Sequence, residues 1–217
     1  MFDPKKSTPK VDHEEKCSGQ AKYVSDIVFD DMLYAKTVRS TITKGRIVSI
    51  VRPDLPHGYH VVDHHDVVKE NYVKMIFADW PVFAVDHVNY IGEPILLVVG
   101  PDKKVIDEII SQIKIEYELE TPVFDYVKSV VHKTFHKGDY AKASQQAVKT
   151  FKETFSTSYQ EQAYIEPQGM MAYIDEHDKV TLIGSMQCPY YIKNAVINTL
   201  GYPENKVRVI QPAVGGA

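Results

Sequence analysis

At 217 residues, 44% of them hydrophobic and 25% charged, the chain has the composition of a soluble globular protein, with room for one large domain or two small ones. A net charge of −4 argues against a general nucleic-acid binder. No apolar run approaches the length needed to span a bilayer, so neither nucleic acid nor membrane is an expected partner.

The opening MFDPKKSTPKVDHEEK, residues 1–16, is polar, lacks the apolar stretch of a secretory signal and reads as a loosely attached arm. Strand-like alternation begins at LYAKTVRST (33–41), and GRIVSIVRP (45–53) forms a second apolar run that ends at Pro53. The stretch VFAVDHVNYIGEPILLVVG (82–100) predicts two strands joined by a tight bend at Gly92-Glu93-Pro94. The period then changes: Val105, Ile106, Ile109, Ile110 and Ile113 share one helical face, and Pro101 and Asp102 suit a helix start. That helix should yield to a strand at 113–117, closing a unit near Asp125. An irregular, mixed-charge linker follows at 126–147, centred on Val131–Gly138. Beyond it, VKTFKETFSTSY (148–159) alternates like a strand, and 169–187 predicts a hairpin turning at Glu176-His177-Asp178. PYYIKNAVINTL (189–200) is an amphipathic helix with Ile192, Ala195, Val196, Thr199 and Leu200 on its face, and Gly201 and Pro203 close it. A last strand spans 206–210.

Cys17 and Cys188 each lack a Cys-x-x-Cys partner, which excludes a zinc ribbon or a complete iron–sulfur site made by this chain alone. Free thiols fit a cytoplasmic protein; Cys188 reads as a small packing residue, Cys17 as inert. The segment HGYHVVDHHD (57–66) holds His57, His60, His64 and His65, with His132 and His136 further on. It follows Pro53 and Pro56 in a loop where nothing enforces ligand geometry, so solvated histidines are the preferred reading and no metal ligand is assigned.

Several segments in order resemble one family. GQAKYVSDI (19–27), LYAKTVRS (33–40), VNYIGEPILLVV (88–99), IEYE (115–118) and PVFD (122–125) resemble the a/b hammerhead domain that opens the molybdopterin-binding subunit of the xanthine dehydrogenase and aldehyde oxidase family. QEQAYIEPQGMMAYID (160–175) resembles that family's Glu-His-x-x-Leu-Glu-Pro segment, with Gln162 in place of the histidine. GSMQCPYYIKNAVINTLGYPENKVRVIQPAVGG (184–216) resembles its Ser-Thr-Gln-x-Pro helix and the glycine loop that follows, with Met186 in place of threonine.

The resemblance implies an α+β fold: a hammerhead domain at 17–125 and the start of a molybdopterin-binding domain at 148–217. It implies that Gln187 sits beside the oxo ligand of a molybdenum centre, where its amide can donate a hydrogen bond; the alternative is a helix cap. Gly215 and Gly216 match two glycines of the cofactor loop, where backbone N–H groups can approach an anionic ligand, and Ala217 stands where the family has a third. The resemblance makes the segment that carries Glu161 and Glu166 structural, near the core of the cofactor domain; neither is assigned as a catalytic base, and no catalytic residue is expected within this chain. The implied reaction is oxidative hydroxylation of an aldehyde or N-heterocycle with water as the oxygen source. Molybdopterin would be bound here, and iron–sulfur clusters, with FAD in many members, would be carried by partner subunits. On this reading the chain is cut inside the glycine loop, is inactive alone and needs the remainder of its subunit. Residues 148–217 would then leave a sheet edge and apolar surface open to self-association, or this half would be poorly ordered. The alternative is a non-catalytic scaffold, or a split-subunit module that docks to a separately encoded remainder. The DNA after the Ala217 codon distinguishes them: in-frame Phe-Gly-Gly marks an enzyme subunit, whereas a stop codon with a downstream frame carrying Phe-Gly-Gly marks a split one.

Overall fold

The computed structural model describes residues 7–125, 131–164 and 166–216. Two compact units emerge, one made of 1–122 with 164–217 and the other of 123–163.

In the first unit, helix α1 (His13–Ser18) precedes strands β1 (Tyr34–Arg39), β2 (Gly45–Val51), β3 (His60–Val62), β4 (Tyr72–Val73), β5 (Trp80–Pro81), β6 (His87–Val88) and β7 (Pro94–Gly100). Helix α2 (Lys103–Gln112) and strand β8 (Lys114–Leu119) follow. The antiparallel sheets run β1-β7-β3 and β6-β2-β8, with β4-β5 a small hairpin. Asp102 caps α2, its carboxylate accepting from the Lys104 amide at 2.7 Å. The helix buries Ile106 and Ile109 against Val38, Leu96 and Val98, with Val105, Ile110 and Ile113 alongside, which is the face expected from the periodicity. The two strands expected across 82–100 exist as β6 and β7, but they join different sheets. Gly92, at φ 92°, makes the turn between them, and the buried Glu93 carboxylate holds it by accepting from the Asn89 amide at 2.5 Å.

The same unit continues with strands β9 (Met170–Ile174) and β10 (Val180–Gly184), helix α4 (Pro189–Leu200) and strand β11 (Val207–Ile210); the label α3 belongs to the other unit. β10 is central, antiparallel to β9 and parallel to β11. The expected hairpin turn is present, with Asp178 at φ 57° and its N–H donating to the Asp175 carbonyl at 3.0 Å. Gly201 closes α4 at φ 76°. The helix packs Ile192, Val196 and Ile197 onto Val180, Leu182 and Val207. Ile197 therefore takes the place expected of Leu200, which is exposed.

Three expectations are corrected. The polar arm is not loose throughout: residues 13–16 begin α1, although 1–6 lie outside the described residues. The strand expected at 148–159 is absent; in the 123–163 unit the described residues are all exposed and form only helix α3 (Tyr140–Gln145), capped by Asp139. An alternating pattern becomes a strand only where another strand satisfies its backbone groups, and none pairs with it among the described residues. Part of the linker expected at 126–147 lies outside the described residues. Cys188 is exposed at the N-cap of α4 and is not a packing residue.

The histidine loop is organised by Asp63. Its buried carboxylate accepts from the His65 amide at 2.8 Å, contacts His65 Nδ1 at 2.9 Å and pairs with Arg52. Ligand-type atoms of Asp63, His64 and His65 lie within 4.8 Å of one another, but capping and the Arg52 ion pair already engage the carboxylate. Burial pushes this carboxyl upward; the His65 amide and the Arg52 guanidinium outweigh that and hold it at about 2. A depressed folded-state value stabilises the fold fully above the unfolded value and is lost as pH falls through the folded one. Asp63→Asn should therefore cost about 2 kcal/mol at neutral pH, and urea unfolding should show the difference closing as pH falls from about 4 to about 2. A difference that persists unchanged at the acid end would trace the loss to packing instead.

Candidate molybdopterin site

A βαβ crossover builds the site. Strands β10 and β11 run parallel in the register Val180↔Val207 to Ile183↔Ile210, so their carboxyl ends lie at one end of the sheet. Parallel neighbours need such a crossover, and α4 supplies it. Open α/β sheets take ligands outside the carboxyl ends of their strands. From β10 the chain leaves through Met186, Gln187 and Cys188 into α4; from β11 it leaves through Gln211 and Pro212 into Val214, Gly215 and Gly216. The Gln211 side-chain amide donates to the Met186 carbonyl at 2.5 Å and ties the two exits together. The topology thus brings the sequence-predicted Gln187, Gly215 and Gly216 to one end of the parallel pair.

Gln187 is exposed and its side chain makes no hydrogen bond among the described residues. It does not cap the helix: the N-cap residue is Cys188, and no side chain bonds there. Pro189 at the first helical position has its φ preset for the helix, and its missing N–H leaves one fewer donor unsatisfied there.

The glycines are explained first by this chain's own side chains. A Cβ on Gly215 would stand 2.9 Å from Glu166 Cβ and 3.0 Å from Tyr23 Cε1, and one on Gly216 would collide with Tyr164. The Gly215 N–H donates to Glu166 Oε2 at 2.7 Å, so a carboxylate takes the amide expected to face an anion. Lys16 Nζ donates to the Val214 carbonyl at 2.9 Å. The hydrogen bond to Asp12 and, to a smaller extent, the charge of Glu166 hold the Lys16 ammonium above its ordinary value. Ala217 lies outside the described residues.

Sequence reading took the Glu166 segment as structural without naming a partner; Glu166 is buried beside the loop with 6% of its surface exposed. Its second oxygen, Oε1, has no partner among the described residues. The available signal was a carboxylate inside an otherwise apolar segment, Tyr164-Ile165-Glu166-Pro167, since buried acids are rare unless paired. Glu161 is exposed in the other unit. Whether this end of the sheet suits molybdopterin rests on donors and acceptors. An unengaged amide at Gln187, tightly packed backbone at 214–216 and an unpartnered buried acceptor at Glu166 fit a ligand with both N–H donors and polar oxygens. Among the described residues no helix is long and apolar enough to cross a membrane.

Comparison with known proteins places the chain. Residues 18–121 match the aldehyde oxidase and xanthine dehydrogenase a/b hammerhead domain, and residues 123–217 match the molybdopterin cofactor-binding domain. The nicotinate dehydrogenase large molybdopterin subunit of Eubacterium barkeri is 32% identical over 97% of this chain and 54% of its own length. The abscisic-aldehyde oxidase of Arabidopsis thaliana is 29% identical over 95% of this chain and 17% of its own. The chain thus spans 54% of the length of one relative and 17% of the other. Among solved structures, the aldehyde oxidoreductase of Desulfovibrio gigas superposes with a TM-score of 0.78 at 18% identity, covering 96% of this chain and 26% of that one. Quinoline 2-oxidoreductase of Pseudomonas putida 86 gives 0.77 at 21% identity, over 97% and 30%. At these identities the superpositions speak for the fold. Two domain matches in sequence order, relatives aligned along nearly all of the chain and a shared fold agree that the chain belongs to the molybdenum hydroxylase family of xanthine dehydrogenases and aldehyde oxidases, over its a/b hammerhead and molybdopterin cofactor-binding domains.

Proposed function

We propose that this chain is part of the molybdopterin-binding subunit of an oxidoreductase that hydroxylates an aldehyde or N-heterocycle with water as the oxygen source. The observation that carries the reading is the convergence of Gln187 and the 214–216 loop at the carboxyl ends of β10 and β11. Residues 17–125 serve as the hammerhead domain, 126–147 as the connection, and 148–217 as the opening of the cofactor domain. Bound molybdopterin would supply the molybdenum that accepts two electrons from the substrate carbon. This chain's contribution would be to hold and orient: Gln187 would offer an amide N–H to the bound centre, and the Gly215–Gly216 backbone would help hold the cofactor. Iron–sulfur clusters, and FAD where present, sit on partner subunits that carry the electrons away, in a cytoplasmic complex. The two free thiols, not spaced as a cluster-binding pair, support that division of labour.

Purification of the tagged chain from its native cells should bring down molybdenum together with polypeptide matching the rest of a large molybdopterin subunit, read by metal analysis and mass spectrometry. A chain that comes alone and metal-free would favour a scaffold.

In the assembled enzyme, Gln187→Ala should lower turnover by about 10- to 150-fold, the equivalent of one lost hydrogen bond to a charged centre at about 1.5–3 kcal/mol. Molybdenum content should stay near the wild-type level. Steady-state kinetics and metal analysis on one preparation check this, and unchanged turnover would remove Gln187 from the site.

A further inference from the structure

Val214 C=O and Gly215 N–H belong to a single peptide unit. In a planar trans peptide these groups point in opposite directions. One end accepts from Lys16 Nζ at 2.9 Å, and the other donates to Glu166 Oε2 at 2.7 Å. The two gripping side chains come from distant segments, α1 and the turn before β9, and each is tied to its own surroundings. Lys16 pairs with Asp12 at 2.7 Å, while Glu166 is buried. Rotation of a peptide plane about its flanking bonds is the easiest motion of a glycine-rich segment, because glycine adopts positive and negative φ with similar ease. Such a rotation would reverse both dipoles and break both bonds here. Each bond involves an ion, and hydrogen bonds of that kind are about twice as strong as neutral ones.

We infer that Glu166, with Lys16 opposite it, is the positioning residue of the glycine loop: the pair locks the Val214–Gly215 peptide plane and so sets the direction in which the Gly216 backbone meets the cofactor. This rests on the proposed cofactor role of the loop and adds a residue pair to it. Glu166 acts through the loop and is not itself placed on the reacting atoms. The missing Cβ of Gly215 is part of the device, since a methyl group there would lie 2.9 Å from Glu166 Cβ and push the carboxylate off the amide.

Residue-resolved amide exchange by NMR on the 217-residue chain tests the lock without any cofactor. Glu166→Ala should speed exchange at Gly215 by about tenfold or more, with amides of β10 and β11 unchanged as a control on folding. Glu166→Gln keeps an oxygen acceptor of the same shape and should restore protection to within about threefold of wild type. Lys16→Met, which keeps the apolar stem and leaves the carboxylate in place, should raise Gly215 exchange by about threefold; it decides the question if Glu166→Ala disturbs β10 and β11. In the assembled enzyme, molybdenum content should fall in Glu166→Ala and recover in Glu166→Gln. Gly215 exchange unchanged in Glu166→Ala and in Lys16→Met would overturn the lock and leave the proposed function standing. A wild-type enzyme without molybdenum would overturn the proposed function and leave the exchange result standing.

Discussion

The parallel pairing of β10 with β11 is the constraint on which the site depends. β10 is buried along its whole length, from Val180 to Gly184, and such a strand tolerates no register error, because one residue of slip exchanges its two faces. The register Ile183↔Ile210 places the two exits level, so the Gln211 amide reaches the Met186 carbonyl. Antiparallel pairing would send those exits to opposite ends of the sheet. The α4 crossover is what makes the parallel arrangement possible, and its apolar stripe on Val180, Leu182 and Val207 keeps the crossover in place.

The chain before the linker meets this βαβ unit by two routes, one at the far end of α4 and one at the 214–216 loop. Backbone N–H groups of Lys69 and Glu70 donate to the Thr199 and Asn198 carbonyls at 2.9 and 3.3 Å, satisfying two of the acceptors that the last turn of α4 leaves open. Thr199 and Asn198 therefore receive from the first family domain what helical geometry denies them. The second route is the segment around α1: Lys16 on Val214, Tyr23 against Gly215, Val24 against Gly169 and Phe29 at 5.3 Å from Tyr173. Two stretches matched as separate family domains thus share hydrogen bonds and side-chain contacts within one compact unit.

Much of the fold was legible because local signals and tertiary structure agree. Asp102 and the isoleucine stripe define α2, and Pro189 with Gly201 brackets α4. The errors share a cause. Residues 148–159 carry a strand pattern, but a pattern does not supply a partner. Likewise 82–100 reads as a pair of adjoining strands, yet β6 and β7 go to different sheets because β2 and β1 claim them. Of the candidate site, Gln187, Gly215 and Gly216 were proposed from the order of motifs. Glu166 and Lys16 were not, because their partners lie 49 and 198 residues away and no local spacing encodes such a contact.

That distance also changes what the glycines mean. A glycine-rich loop near an anionic cofactor invites the reading that every N–H faces the ligand and that glycine is there to let the ligand approach. At Gly215 the approach comes from the protein: Glu166 and Tyr23 occupy the space a Cβ would need, and the N–H is bonded to a carboxylate. Gly216 is likewise closed off by Tyr164 on its Cβ side. Both residues are therefore fixed by packing on one side. A backbone held in that way loses little further conformational freedom when a ligand binds, and the entropy of ordering a glycine segment is among the larger costs such a site faces. The buried acid that the sequence marked only as part of a structural segment is thus the group that makes a flexible segment into a preorganised one.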